Sequence, residues 1–379
     1  MGSEVYLAGT SVGSVQLSVN GISAEVSSWW LRNHCPCALC RTESGQRTGM
    51  PVSDCEQFDI RRRDRDGVVE ILFEDGHRSV FTEDDLVEFV RWRSRPLPFG
   101  FGSRATLSVE RRRWRPNPEP AEVFEWLAAL ADNRILVLEG APARIGVVGP
   151  TAAQIAPVMP TIYGDTWLVR VEDRPTNIAY TSDVLPFHQD LCAYETPPGL
   201  QLLHCVEFAA EVHGGETLFC DGLAAAERVR AEAPEDFATL CSVWATFATI
   251  NRDQLMVVRK THLALDDHAN LVALNWAPPF EGPFAGAPED ELRYRQAYRT
   301  FAAAVDDCPR LALRLSPGEI VIFNNRRVLH ARRAYGQHDG VARRVLEGCY
   351  LTADDVSNQY SYLKRRLAQR DMPRAELAS

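Results

Sequence analysis

Two histidines, one aspartate and one arginine form the most informative set in this 379-residue chain. His188 and Asp190 stand two apart in Phe187-His-Gln-Asp190. In a strand or its exit loop, residues i and i+2 point the same way, so an imidazole and a carboxylate can face one cavity. His330 lies far downstream in Phe323-Asn-Asn-Arg-Arg-Val-Leu-His330, directly after a strongly apolar run. Two imidazoles and a carboxylate on one face leave coordination positions open, and that is the donor set of non-haem Fe(II) oxygenases. The open positions admit a bidentate co-substrate and O2. Arg344 follows on the next strand-like run, at a spacing that returns it to the same cavity. Its guanidinium can clamp a carboxylate through two parallel hydrogen bonds. A 2-oxoglutarate co-substrate would chelate iron by its keto-acid end and offer its far carboxylate to that arginine. A lone His-X-Asp is common by chance; the ordered set carries the signal. His204, His213, His262, His268 and His338 are expected to be satisfied or exposed.

A second set asks for a different metal. Of ten cysteines, Cys35, Cys37 and Cys40 fall within six positions, and the rest are scattered singly. Clustering of this kind points to a metal site. Three thiolates need a fourth ligand to close a tetrahedral zinc site. Spacing alone offers His34, Cys55 or His77. An iron–sulfur cluster is the rival, though it usually takes a fourth cysteine. Reduced core thiols are the plain alternative. A closed four-ligand site is structural rather than catalytic.

The elements that would hold these sets are mostly short strands. Ser14-Val-Gln-Leu-Ser-Val19 and Val68-Val-Glu-Ile-Leu-Phe73 have strand periodicity, and Asp75-Gly76 signals a hairpin. Thr82 and Asp85 predict a capped helix over 82–90. Arg95-Pro-Leu-Pro-Phe-Gly-Phe-Gly102 and Trp114-Arg-Pro-Asn-Pro-Glu-Pro120 are dense in proline and glycine, which predicts a linker. Residues 1–95 are therefore expected to form one domain, 96–118 a linker and 119–379 a second domain. The second opens on a helix over 120–133. Strands are expected over 134–138, 166–171, 200–206, 217–219, 319–323 and 344–350, with one amphipathic helix near 289–305. Many short strands with little helix between them predict a mainly β, α+β chain whose larger part is a sandwich or jelly roll.

Composition excludes several function classes. The chain is 45% hydrophobic, 24% charged and 9% aromatic, which is ordinary for a globular protein. Fifty-one acidic against 41 basic residues give a formal charge of −10, so nucleic acid is not an expected partner. The arginine runs at 61–63 and 111–115 are interleaved with acids and are expected to be solvated. No apolar run is long enough to span a membrane. The first residues carry neither a basic region nor an apolar core of a secretory signal, so a cytoplasmic, reducing setting is expected.

Phe187-His-Gln-Asp190, Pro197-Pro-Gly-Leu-Gln-Leu-Leu-His-Cys205, Gly214-Gly-Glu-Thr217, Asn325-Arg-Arg-Val-Leu-His330 and Arg344-Val-Leu-Glu-Gly-Cys-Tyr350 together resemble the gamma-butyrobetaine hydroxylase group of the taurine-dioxygenase-like Fe(II)/2-oxoglutarate oxygenases. The likeness runs from about Trp29 to Arg365. It implies a double-stranded β-helix, iron on His188, Asp190 and His330, and 2-oxoglutarate on Arg344, with Leu203 and Thr217 lining the co-substrate pocket. Trp30-Leu-Arg-Asn-His-Cys-Pro-Cys-Ala-Leu-Cys40 resembles that group's N-terminal zinc domain and favours His77 as fourth ligand. A homodimer, O2 as second co-substrate and ascorbate as a candidate reductant are further implications.

The same resemblance implies a cage for a trimethylammonium group from Tyr163, Trp167, Tyr180 and Tyr350. A quaternary ammonium cannot donate a hydrogen bond, so ring faces are its natural wall. Asn177 and Asn275 correspond to the polar end of the substrate site, and Tyr194 to a further substrate contact. Trp276 beside Asn275 is a departure that bears on which acid fits. A phosphonate would want positive charge, which the local sequence lacks. The substrate implied is gamma-butyrobetaine, hydroxylated to L-carnitine, or a related quaternary ammonium acid. Trimethyllysine, a trimethylammonium phosphonate and a natural-product amino acid are alternatives. Asp190 argues for hydroxylation over halogenation, because a small residue there would open a halide position. A different class, an inactive zinc-organised binding protein, would retain no reason for the complete His188, Asp190, His330 and Arg344 set.

Overall fold

The computed structural model describes residues 5–11, 14–19, 22–49, 51–55, 58–63, 68–82, 85–86, 107–132, 134–251, 254–336 and 343–370. The chain divides into two units, Met1–Pro96 and Leu97–Ser379.

The first unit holds two three-stranded antiparallel sheets, Val5–Ser11, Ser14–Val19 and Ile22–Ser27, then Phe58–Arg63, Val69–Phe73 and Arg78–Phe81. A short helix, Ser28–Asn33, leaves the first sheet, with the Ser27 hydroxyl accepting from Trp30 N. Alternation along Val69–Phe73 sends Val69, Ile71 and Phe73 into a core shared with Leu31, Phe81 and Leu86. The expected hairpin turns at Gly76, whose φ of 78° favours a residue without a β-carbon. Thr82 and Asp85 cap each other reciprocally, as their spacing predicts. Residues 83–84 and 87–90 of the expected helix lie outside the described residues.

Among the described residues the second unit has, besides three two-stranded sheets, two main ones. The larger has the order Ser108–Arg113, Arg134–Glu139, Ile320–Asn324, Leu200–Phe208, Arg344–Leu351 and Trp167–Val169. The smaller has the order Leu185–His188, Val328–Arg332, Thr217–Asp221 and Leu311–Leu313. Neighbours pair antiparallel except the first two of the larger sheet. Period-2 alternation divides each buried strand between two cores. Ile135, Val137, Leu203, Cys205, Val321 and Phe323 pack with Phe219 and Val328 of the smaller sheet. Their neighbours Leu136, Leu138, Leu200, Leu202, Ile320 and Ile322 pack against the helices Pro120–Ala131, Val148–Ala153 and Ala353–Arg370. The outer side of the smaller sheet, with Leu218, Cys220, Leu329 and Ala331, packs against Gly222–Glu232, Pro234–Ser242 and Pro288–Asp306.

Several expectations change. Ser108–Arg113 falls inside the stretch read as linker, yet it is an edge strand, because edge positions tolerate the exposed arginines that made it look solvated. Part of that stretch, including 95–102, lies outside the described residues. Helix is more abundant than the single expected interruption. Gly222–Glu232 is short and alanine-rich, so its apolar face is weakly patterned, and Pro234–Ser242 spans only nine residues, little more than two turns. His204 is neither satisfied nor exposed: it is buried, and its nearest carboxylate, Glu347, is 3.9 Å away.

One buried ion pair fixes the approach to His330. Arg327, in the turn between the last apolar strand and Val328–Arg332, donates Nε to Asp221 Oδ1 at 3.0 Å and Nη2 to Oδ2 at 2.8 Å. The two side chains are 4% and 10% exposed. Removing one partner of such a pair leaves an uncompensated buried charge. Arg327→Ala is expected to destabilise the folded chain by about 3–5 kcal/mol, measured by urea denaturation.

Candidate active site and metal centres

Antiparallel pairing of Leu185–His188 with Val328–Arg332 places His188 directly opposite His330. Their ring centroids are 4.2 Å apart. His188 Nε2 lies 3.1 Å from Asp190 Oδ1 and His330 Nε2 lies 3.8 Å from the same oxygen. One donor atom from each of the three residues thus converges within 4.8 Å. His188 Nδ1 contacts the Pro186 carbonyl at 2.8 Å, which fixes the ring and leaves Nε2 for the cluster.

Asp190 is held at four points. Its N–H donates to Asn325 Oδ1 at 3.0 Å, and its carbonyl accepts from Asn325 Nδ2 at 3.2 Å. Its Oδ2 accepts from Gln201 Nε2 at 2.7 Å and from the Tyr350 hydroxyl at 2.6 Å. Gln201 and Tyr350 face each other across adjacent strands. Burial opposes the charge, but the His330 and His188 imidazoles and the Tyr350 hydroxyl hold the Asp190 carboxyl well below the usual carboxylate range. The chain leaves Asp190 through Leu191 at φ 56°. That left-handed conformation costs a residue with a β-carbon about 1–2 kcal/mol, so strain sits next to the ligand.

All three side chains line one cavity, together with Arg344, Leu203 and Thr217. Arg344 is 2% exposed. Its Nε donates to the Gly215 carbonyl at 3.1 Å, while its buried Nη1 has no partner. Burial, then the charge of Arg332, lowers its pKa to about 10, so it remains a cation at neutral pH. An unpaired buried guanidinium N–H beside an open His2Asp cluster suits a bound carboxylate.

Tyr163, Trp167, Asn177, Tyr180 and Tyr350 also line this cavity. Trp167 stacks on Tyr350 at 4.1 Å between centroids. The stack needs Gly348, because a β-carbon there would meet the Trp167 ring at 2.6 Å. Tyr350 serves the cluster as well as the wall, since its hydroxyl is committed to Asp190. Asn177 donates Nδ2 to the Tyr163 hydroxyl at 3.3 Å.

Two expected substrate residues are not brought to the cavity. Asn275 Nδ2 donates to the Thr261 carbonyl at 2.9 Å, and the residue is 5% exposed. The Tyr194 hydroxyl accepts from Ile162 N at 3.0 Å. Neither is among the cavity's lining residues. The Trp276 ring packs with Tyr298 and Phe301 in the outer core, and only its carbonyl serves the site, accepting from Gln189 N at 2.7 Å. Local sequence could place these residues near Asp190 in space but could not say which way they faced.

The cavity also holds Gln201, Thr249, Phe280 and Arg332, which sequence reading did not single out. Two carried a usable signal. Gln201 is two residues before Leu203, and Arg332 two after His330, so the i+2 rule that pairs His188 with Asp190 finds both. Phe280 and Thr249 come from a 3₁₀ turn and a hairpin with no such mark.

In the first unit, Cys35, Cys37, Cys40 and His77 form a second cluster within 4.8 Å. His77 Nε2 lies 3.2 Å from Cys35 Sγ and 3.6 Å from Cys37 Sγ and Cys40 Sγ. The other candidates point elsewhere: His34 Nδ1 contacts the Trp30 carbonyl, and Cys55 is in the core. Three sulfurs and one imidazole at mutual contact match a closed tetrahedral zinc site.

An open His2Asp cluster beside a buried unpaired arginine defines a centre of the non-haem iron oxygenase class. The chain belongs to the taurine catabolism dioxygenase TauD, TfdA family, which matches residues 93–350, and it is a dioxygenase of that family. Residues 14–86 match the gamma-butyrobetaine hydroxylase-like N-terminal family. The chain is 29% identical over 354 residues to a gamma-butyrobetaine dioxygenase of Pseudomonas sp. (strain AK-1), covering 89% of this chain and 90% of that one. It is 26% identical over 370 residues to the Homo sapiens gamma-butyrobetaine dioxygenase, covering 89% and 91%. A mitochondrial trimethyllysine dioxygenase of Bos taurus is 29% identical over 231 residues, covering 59% and 53%. No helix among the described residues is long and apolar enough to cross a membrane.

The two clusters differ in donor softness, so their metals should separate by mutation. Elemental analysis of protein purified without oxygen is expected to give one iron and one zinc per chain. Cys37→Ser should lose zinc and keep iron, and Asp190→Ala should do the reverse.

Proposed function

We propose that this chain is an Fe(II)/2-oxoglutarate-dependent hydroxylase of a small trimethylammonium acid, with gamma-butyrobetaine the first candidate. The observation that carries the proposal is the meeting of His188, Asp190, His330 and Arg344 at one aromatic-walled cavity. In this reading the two facing sheets are a double-stranded β-helix. His188 Nε2, Asp190 Oδ1 and His330 Nε2 hold the iron. Arg344 takes the distal carboxylate of 2-oxoglutarate, and Leu203 and Thr217 line its path. Cys35, Cys37, Cys40 and His77 hold a structural zinc.

When bound, iron and 2-oxoglutarate supply an oxidant able to attack an unactivated C–H. The chain's own residues supply aim and dryness. Gln201 and Tyr350 occupy Asp190 Oδ2, which leaves Oδ1 turned towards the imidazoles. Tyr163, Trp167, Tyr180 and Tyr350, with Phe280, line the cavity and would wall the quaternary ammonium with rings, whereas the N–H groups of a primary ammonium would go unsatisfied there. Asn177 supplies the polar end. The relatives' printed activities, on gamma-butyrobetaine and on trimethyllysine, share this cationic group.

A panel of quaternary ammonium acids, scored by succinate release, tests the reading. Gamma-butyrobetaine should outperform 4-aminobutyrate by on the order of 30-fold, the equivalent of about 2 kcal/mol for a desolvated cation–π contact. Trimethyllysine and a phosphonate analogue form the other arms, and a preference for either reassigns the substrate. His188→Ala should abolish succinate release. Arg344→Ala should raise the 2-oxoglutarate requirement far more than the substrate requirement; equal losses would count against the clamp.

A further inference from the structure

The cavity contains a second buried guanidinium, Arg332, that the roles above do not use. It is 4% exposed and sits on the same strand face as His330, opposite Thr217. Its two terminal nitrogens are fully engaged with one segment. Nη1 donates to the Ala179 carbonyl at 2.7 Å, and Nη2 to the carbonyls of Asp183 at 2.8 Å and Ile178 at 3.4 Å. That segment carries Asn177, Ala179 and Tyr180 into the cavity wall. The remaining donor, Nε, is buried and has no partner.

Arg344 presents the matching vacancy. Its Nη1 is likewise buried and unpartnered, and both guanidiniums lie near one ring, at 5.2 and 5.6 Å from the Tyr335 centroid. Among the described residues, every hydrogen-bond partner of these two arginines is a backbone carbonyl. Two buried cations without a carboxylate repel each other, and each leaves one N–H unsatisfied. An anion between them relieves both penalties. The 177–183 segment is also held by Asn177 Nδ2 donating to the Tyr163 hydroxyl at 3.3 Å, by the Glu172 N–H donating to the Tyr180 carbonyl at 3.0 Å, and by the Tyr335 N–H donating to the Ser182 carbonyl at 3.0 Å.

We propose that Arg332 is a positioning residue that couples co-substrate to substrate: its Nε joins Arg344 Nη1 on the distal carboxylate of 2-oxoglutarate, and its terminal nitrogens set the 178–183 wall that meets the substrate. This rests on the function proposed above. The carboxylate fixes the guanidinium plane, and the fixed plane fixes three carbonyls of the wall. By linkage, each ligand then tightens the other by the same factor.

The experiment is calorimetric titration of the iron-loaded full chain without oxygen, so that binding rather than turnover is read. Gamma-butyrobetaine is titrated alone, with saturating 2-oxoglutarate, and with saturating 2-oxobutyrate, which keeps the keto-acid end but lacks the distal carboxylate. In the unaltered chain 2-oxoglutarate is expected to tighten substrate binding about 10-fold, within the usual range of coupling between sites, and 2-oxobutyrate not at all. Arg332→Gln should weaken 2-oxoglutarate about 10-fold and reduce the mutual tightening to none. Arg344→Gln should weaken 2-oxoglutarate yet keep the tightening once the site is saturated. Arg332→Lys keeps the charge but loses the fork, and it serves if the glutamine variant does not fold; its tightening should fall as well.

Equal tightening by 2-oxoglutarate and 2-oxobutyrate overturns the inference. So does an Arg332 variant that keeps both 2-oxoglutarate affinity and coupling, or one that loses substrate affinity equally with and without co-substrate. Those results leave the hydroxylase reading intact as long as 2-oxoglutarate binds and depends on Arg344. Failure of 2-oxoglutarate to bind the unaltered chain would instead remove both.

Discussion

The site depends on one strand register. His188 and His330 meet because Leu185–His188 pairs with Val328–Arg332 with those two residues opposed. A slip of one residue would turn Leu329 and Ala331 inward and send His330 into the apolar layer against the helices. The register is held from both ends. Arg327 and Asp221 pin the turn before the strand, and Arg332 ties the strand's last residue to three carbonyls. The same register explains why the inward face carries a ligand and then a cation, while the outward face is uniformly apolar.

Asp190 extends this constraint to the other sheet. The opposed residues Gln201 and Tyr350 both donate to its outer oxygen, so the carboxylate cannot rotate without breaking contacts to two strands. Asn325 holds the backbone on the other side. Polar groups so deep in a β core are costly unless every partner is in place. Their concentration around one side chain, next to a left-handed Leu191, marks where fold stability has been exchanged for geometry.

Much of this was legible in the chain because the signals are local. His-X-Asp, a second histidine after an apolar run, and a following arginine need only strand periodicity to converge. The Asp75-Gly76 hairpin and the Thr82–Asp85 cap are set by neighbours in sequence. What failed was long-range. Whether Asn275 or Tyr194 faces the cavity is decided by Thr261 and by the Ile162 N–H, neither of which is nearby in the chain. Ser108–Arg113 looked like solvated linker because an edge strand can keep its arginines in water. Tyr350 read as an aromatic wall, and only packing reveals that its hydroxyl belongs to Asp190. Arg332 was within reach of the alternation rule, yet it lay hidden among neighbouring arginines.

The two donor sets also bear on how such a protein is loaded in a cell. Three thiolates and an imidazole select zinc by softness and by closure. Two imidazoles and a carboxylate with open positions do not select Fe(II), since that set binds nickel, copper and zinc more tightly along the divalent series. Correct occupancy of the second set is therefore governed by which ions are abundant and exchangeable while the chain folds. A surplus of zinc that satisfies the cysteine cluster would silence the other centre by simple competition.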